Sequence, residues 1–134
     1  KEAFSQWLSP KRGYYVPATR PDAYETIRFI KSIGAVAVLA HPFLSMDESL
    51  LRAFLPEAVD AGLDGMEVYY STYDEEQTRL ALEIAAEYGL LGSGGSDFHG
   101  QNKPDISIGV GKGNLSIPLT LLQQLKSRRK NILP

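Results

Sequence analysis

The chain has two histidines, and each stands at a break in the sequence pattern. His41 closes the apolar run Ala35-Val36-Ala37-Val38-Leu39-Ala40 and precedes Pro42. His99 lies in Gly94-Gly95-Ser96-Asp97-Phe98-His99-Gly100, two residues after Asp97. In an extended backbone, positions i and i+2 face the same way, so Asp97 and His99 can aim a carboxylate and an imidazole at one point. Imidazole and carboxylate without thiolate make the donor set of hydrolytic Zn, Mn or Fe sites. Such sites lower the pKa of water and can clamp a phosphoryl oxygen. The plainer account is that His41 ends a strand ahead of a proline and that Asp97 makes an Asx turn in a glycine-rich loop. The placement of both histidines at equivalent points of the topology favours His41, Asp97 and His99 as metal ligands. Three ligands suffice for one open mononuclear site. A two-metal site needs more, and the chain offers no third histidine.

Such side chains meet only if the elements around them bring them together. A helix is expected from about Pro21, with Ala23, Ile27, Ile30 and Ile33 on one face and Gly34 at its end. Residues 35–40 read as a strand buried on both faces, as in a parallel sheet, ended by His41-Pro42 because proline biases its predecessor toward extended backbone. Ser45-Met46-Asp47-Glu48 is a capping-box pattern that opens a helix to about Leu55. Pro56 then starts a second short helix, which Gly62 stops. Gly65 to Tyr70 is a second strand. Asp74 to Tyr88 is the clearest helix, with Leu80, Ala81, Ile84, Ala85 and Tyr88 as its stripe. Leu90 to Gly94 is a short third strand, and Ile106 to Val110 is a fourth strand or an extended loop. Ser116-Ile117-Pro118 starts a last helix through Leu119, Leu122 and Leu125. Residues 2–8 read as the end of a further helix.

Alternating helices and strands predict an α/β fold with parallel pairing through right-handed crossovers. Three or four units make part of an open doubly wound sheet or about half of a closed (β/α) barrel. In both, ligands gather at the carboxyl ends of the strands, where His41 and His99 fall.

Composition narrows the function classes. A length of 134 residues suits one compact unit, and 43% hydrophobic with 22% charged residues is ordinary globular usage. With no cysteine, a disulfide framework, a thiolate metal site and a cysteine nucleophile are all excluded. A net charge of -2 argues against strong nucleic-acid binding, and the Lys126 to Lys130 cluster reads as a solvated helix end that suits the helix dipole. No apolar run reaches the ~18–20 residues of a membrane span, and no signal-peptide pattern is visible, so a cytoplasmic protein is expected. The opening Lys1-Glu2-Ala3-Phe4-Ser5, without an initiator Met, reads as a piece of a longer protein.

His41 in Val38-Leu39-Ala40-His41-Pro42, and Asp97 with His99 in Gly94 to Gly100, resemble the last two metal motifs of the PHP (polymerase and histidinol phosphatase) family. Gly65-Met66-Glu67-Val68-Tyr69-Tyr70-Ser71 is similar to that family's Gly-(Ile/Met)-Glu-Val strand, and Tyr14-Tyr15-Val16-Pro17 to the lead-in of its small-phosphoesterase branch. The resemblance implies a distorted (β/α)7 barrel of which this chain is the C-terminal half. It implies a metal-dependent phosphoesterase with two or three divalent ions (Mn, Zn or Fe), acting on nucleotides or small phosphorylated metabolites through metal-activated water. The family's His-x-His motif, Asp-His pair, Glu and further His are not in this chain, so the fragment alone is expected to hold one ion or none and to be inactive.

Carried over by position, His41, Asp97 and His99 match ligands, and Glu67 matches a family residue. A lone carboxylate facing a barrel interior needs a partner. A bond to a ligating histidine would supply one, as would an ion pair with Lys or Arg. Lys103, four residues after His99, is placed either to contact a substrate phosphate or to sit in solvent. Arg12 and Arg20 are weaker candidates of the same kind, and no independent general base stands out. Tyr69, Tyr70 and Tyr73 either line a base- or sugar-sized pocket or pack. Two rival readings stand beside the phosphoesterase. One is a metallohydrolase of the amidohydrolase type, although no lysine ends a predicted strand. The other is a non-catalytic half-barrel that binds a partner, the missing half or a second copy of itself through open sheet edges.

Overall fold

The computed structural model describes residues 6, 7 and 20–129. Arg12, the Tyr14 to Pro17 lead-in, Lys130 and most of the helix end expected over 2–8 lie outside the described residues. Three parallel strands form one sheet in the order β1 (Val38–Leu39), β2 (Gly65–Tyr70), β3 (Leu91–Gly95). Helix α1 (Ala23–Ser32) precedes β1, α2 (Glu48–Asp60) joins β1 to β2, α3 (Glu75–Glu87) joins β2 to β3, and α4 (Leu119–Arg128) follows. The expected α/β alternation thus folds as an open parallel sheet with flanking helices.

Local chemistry sets the helix ends. Asp22 caps α1 by accepting from the amides of Tyr24 and Glu25, and Gly34 turns the chain out at φ 72°. Asp74 and Gln77 form a reciprocal capping box on α3. The cap of α2 is Asp47, which accepts from the Leu50 amide, and not Ser45 as the sequence pattern suggested. Pro56 also fails to split α2. A proline inside a helix removes one backbone donor and leaves the carbonyl four residues earlier without it. Here that carbonyl belongs to Arg52, and the Tyr88 hydroxyl donates to it at 3.3 Å.

Two strand expectations are corrected. The run 35–40 forms only a two-residue strand, and Val38 is 37% exposed, so β1 is an edge that is not buried on both faces. Its first half is tied elsewhere. The Ala35 amide donates to the Ile30 carbonyl, the Ala37 amide to the Asp64 carboxylate, and the amides of Asp64 and Gly65 to the Ala37 carbonyl. Asp64 in turn holds the Lys31 ammonium at 2.6 Å. Residues 106–110 form neither the strand nor the extended loop expected: they make a tight turn closed by an antiparallel bridge between Ser107 and Gly111.

The core lies between sheet and helices. Leu51 and Leu55 of α2, Met66 and Val68 of β2 and Ile84 of α3 are fully buried, each side chain contributing about 1.5–3 kcal/mol of hydrophobic stabilisation. Helix α4 packs on β3. Its approach needs glycine: a Cβ at Gly94 would stand 2.9 Å from Ile117 Cδ1 and 2.8 Å from Tyr69 Cβ. Among the described residues, no helix is long and apolar enough to cross a membrane.

Candidate active site at the strand carboxyl ends

Parallel pairing brings the ends of the three strands to one edge. His41 follows β1 by two residues, Ser71 follows β2 directly and Asp97 follows β3 by two. His41 (φ 29°) and Asp97 (φ 54°) are the only non-glycine residues with positive φ among the described residues. Such backbone costs of order 1–3 kcal/mol and persists where the surroundings over-determine it. The proline after His41 therefore does not leave it extended, and the turn at Asp97 is not the straight i, i+2 geometry expected from sequence.

The surroundings are specific. Glu67 Oε2 accepts the His41 backbone amide at 2.8 Å. The His41 ring lies 5.2 Å from the Tyr70 ring, centroid to centroid. The Tyr70 hydroxyl donates to Asp97 Oδ2 at 2.7 Å, and the Lys103 ammonium donates to the same oxygen. His99 Nδ1 stands 2.8 Å from the Asp97 carbonyl oxygen and 3.4 Å from Oδ1. Asp97 and His99 are thus together, and Tyr70 links them to His41. Tyr70 also packs edge-on against Tyr73 (5.2 Å), which packs on Phe43 and accepts the Phe43 amide.

Electrostatics follow from burial and contacts. Burial holds the Glu67 carboxyl above its ordinary range; the His41 amide and the nearby imidazole oppose this, and the Asp97 charge adds to it. The Lys103 hydrogen bond, and then that of Tyr70, hold Asp97 below its ordinary value. The Tyr70 phenol is raised, first by burial and then by Asp97, and burial pushes Tyr73 up to about 12. Of the two partners expected for Glu67, the histidine is the one found, through the His41 backbone amide and not its ring, and Glu67 pairs with no Lys or Arg among the described residues. Arg20 is exposed.

Two imidazoles and two mutually repelling carboxylates are a donor set suited to a divalent cation. Among the described residues, however, no three such groups converge closely enough to hold one. In donor chemistry the chain fits part of a metal centre.

Sequence reasoning missed two features. One is the Tyr70–Asp97 bond. The other is the buried Ser71, whose hydroxyl donates to the Ser96 carbonyl at 2.6 Å and whose own carbonyl accepts from Asn114 Nδ2 at 3.2 Å. Both residues end or follow β2, a position that marks them as edge residues in a parallel sheet. The three tyrosines do border a cavity of about 790 Å³ beside α3, although Tyr70 and Tyr73 are themselves buried.

No protein-family model matches the sequence. The chain is 31% identical over 99 residues to a 5'-3' exoribonuclease of Haemophilus influenzae, covering 73% of this chain and 36% of that protein. It is 35% identical over 80 residues to a phosphoribosyl 1,2-cyclic phosphate 1,2-diphosphodiesterase of Eggerthella lenta (60% and 29%). It is 28% identical over 111 residues to a 3',5'-nucleoside bisphosphate phosphatase of Chromobacterium violaceum (81% and 39%). Among solved structures it is similar to a Bifidobacterium adolescentis protein assigned as a metal-dependent phosphoesterase, with TM-score 0.69 and 31% identity over 98% of this chain and 45% of that one. It is also similar to a Chromobacterium violaceum protein described as an amidohydrolase with bound sulfate and no metal (TM-score 0.69, 25% identity, 94% and 44%). The chain spans less than half the length of each of these proteins. The motifs, the parallel sheet and these likenesses agree: the chain is similar to part of a metal-dependent phosphoesterase, consistent with a PHP domain.

Proposed function

We propose that the intact protein hydrolyses phosphate esters of nucleotides or small phosphorylated metabolites, using two or three divalent ions (Mn, Zn or Fe), and that this chain is the C-terminal half of its distorted (β/α)7 barrel. The observation that carries the reading is the strained pair His41 and Asp97, held at the ends of β1 and β3 and tied together through Glu67 and Tyr70 of β2. His41, Asp97 and His99 would hold metal, with further ligands from outside the described residues. A cation so held supplies Lewis-acid polarisation of the phosphoryl group and a water of low pKa.

The chain's own residues do the positioning. Glu67 fixes the His41 backbone, and so the direction of its imidazole. Tyr70 orients the Asp97 carboxylate, and its ring limits where the His41 ring can lie. The Lys103 ammonium, already on Asp97, is placed to take a phosphoryl oxygen by a charge-assisted hydrogen bond when substrate arrives. The open edges of β1 and β3 would be covered by the other half of the barrel, and in the isolated chain they favour self-association.

The three curated relatives share phosphorus–oxygen ester cleavage in their names and differ in substrate. The net charge of -2 favours a small substrate over RNA. The amidohydrolase reading has one neighbour's name behind it. Against it, none of the strand residues in β1, β2 or β3 is a lysine that could be carboxylated.

The test is metal content and phosphate release in His41→Ala and Asp97→Ala, with folding checked by circular dichroism. Both variants lose metal and activity while staying folded. Full metal occupancy in both would sink the assignment.

A further inference from the structure

Each of the two strained turns, at His41 and at Asp97, has a hydrogen bond on the peptide unit that leads into it. At His41 that unit is peptide 40–41, and its N–H donates to Glu67 of β2 at 2.8 Å. At Asp97 it is peptide 96–97, and its carbonyl accepts from the hydroxyl of Ser71, the residue after β2, at 2.6 Å. The φ angle of a residue is the rotation of its Cα against that leading peptide plane, so each bond fixes one side of the strained rotation. We propose, building on the reading of Asp97 as a metal ligand, that Ser71 is a positioning residue: its hydroxyl, by holding the Ser96 carbonyl, sets the left-handed turn that aims the Asp97 carboxylate at a cation.

The grip of Ser71 differs in kind from the others on Asp97. Tyr70 and Lys103 bond the end of the side chain, at Oδ2, and His99 Nδ1 meets the carbonyl of the trailing peptide. These contacts orient the carboxylate once the backbone has turned. Ser71 acts a step earlier, on the peptide plane from which the side chain departs. An aspartate left to itself prefers the backbone regions of negative φ. Rotation into one of them swings the carboxylate away from Tyr70.

The surroundings of Ser71 keep its hydroxyl on this acceptor. Ser71 is 2% exposed, so little water competes for the bond. Asn114 Nδ2 donates to the Ser71 carbonyl at 3.2 Å and fixes its backbone. Gly111, at φ 61°, covers the hydroxyl: a Cβ there would stand 2.6 Å from Ser71 Oγ, closer than the two atoms can lie. A side chain at position 111 therefore drives the hydroxyl off the Ser96 carbonyl. Gly109 (φ 79°), in the turn that Ser107 and Gly111 close, has open space where its Cβ would be. These two glycines separate the strain of a left-handed alanine from the loss of the Ser71 bond.

The test uses the intact protein that contains this chain and has two readouts. In a left-handed residue the amide and α protons lie nearly eclipsed, so Asp97 gives an intense intraresidue cross-peak in a NOE spectrum recorded without metal. Manganese(II) affinity is measured by calorimetric titration. Ser71→Ala and Gly111→Ala both weaken the Asp97 cross-peak and lower manganese affinity about tenfold, and Gly109→Ala changes neither. A purely structural serine would lower the melting temperature and move neither readout. Should Ser71→Ala not fold, Gly111→Ala against Gly109→Ala carries the comparison. An Asp97 cross-peak that survives both Ser71→Ala and Gly111→Ala overturns the proposal. So does unchanged affinity once the cross-peak is lost, or an equal loss of affinity in Gly109→Ala. A wild-type protein that binds no manganese sinks the reading of Asp97 as a ligand, while the metal-free cross-peak still decides whether Ser71 sets the turn.

Discussion

The Tyr70 hydroxyl stands 2.7 Å from Asp97 Oδ2 and donates to it. The same ring lies 5.2 Å from that of His41. One side chain of the central strand thus touches both outer members of the site. Tyr70→Phe keeps the ring packing and removes only the donor. On the proposed reading, the divalent-metal affinity of the intact protein falls about tenfold in this variant, the lower end for loss of a partner that orients a ligand. Stability changes by no more than about 1.5 kcal/mol. Calorimetric metal titration and thermal unfolding measure the two. Unchanged affinity would mean that Asp97 needs no help to face a cation.

Glu67 gives a pH dependence of known sign. Its folded-state pKa is raised by burial, so the folded state favours the protonated carboxyl. The stability this brings is present at low pH and is lost as pH rises through the folded-state pKa. Glu67→Gln keeps an oxygen for the His41 amide and stays neutral throughout. The metal-free variant is therefore more stable than wild type at pH 7, and the gain disappears as pH falls below the ordinary carboxylate range. Denaturant melts at pH 7 and pH 3.5 compare the two, and a variant less stable at pH 7 contradicts the account.

Tyr73 sets the alkaline limit. In the unfolded chain its phenol ionises near 10, and in the folded chain at about 12. Between these values the unfolded state loses its proton first, so stability falls with rising pH by roughly 2–3 kcal/mol. Tyr70, raised in the same direction, adds to the slope. Tyr73→Phe flattens the curve between pH 10 and 12. An unaltered slope would assign alkaline sensitivity elsewhere.

The bridge from Tyr88 to the Arg52 carbonyl is testable by a double-mutant cycle. Tyr88→Phe costs about 1 kcal/mol while Pro56 is present, because the carbonyl left by proline loses its donor. In a Pro56→Ala background the backbone N–H restored at that position can supply the bond, and the cost of Tyr88→Phe drops to a few tenths of a kcal/mol. Equal costs in both backgrounds would show the hydroxyl contact to be incidental.

The elements most legible in the sequence were those whose signals are local. The stripe Ala81-Ile84-Ala85 and the Gly89 that follows belong to one helix, and that helix formed as read. The continuity of α2 through Pro56 was not legible, and the donor that meets the Arg52 carbonyl is Tyr88, 36 positions away in sequence. The length of β1 was overread because Asp64, far along the chain, captures Ala37 ahead of the ladder. At the site, the types and places of His41, Asp97 and His99 could be read from spacing. Their geometry could not, because the left-handed turns at His41 and Asp97 are held by Glu67, Tyr70 and Lys103 through contacts between separate strands and loops.

The glycines of β3 shape more than a close helix contact. The chain leaves this strand after Gly95, makes its excursion past Lys103 and Lys112, and returns to the same strand, where Ile117 meets Gly94 and Leu121 meets Gly92. Departure and landing points are neighbours on β3, and between them the stretch is pinned to the end of β2 through Tyr70 and Ser71. The loop that carries Asp97 and Lys103 is thus clamped between two neighbouring strands, so a change in its length strains both anchors before it reaches the β1–β2 pairing that carries His41 and Glu67.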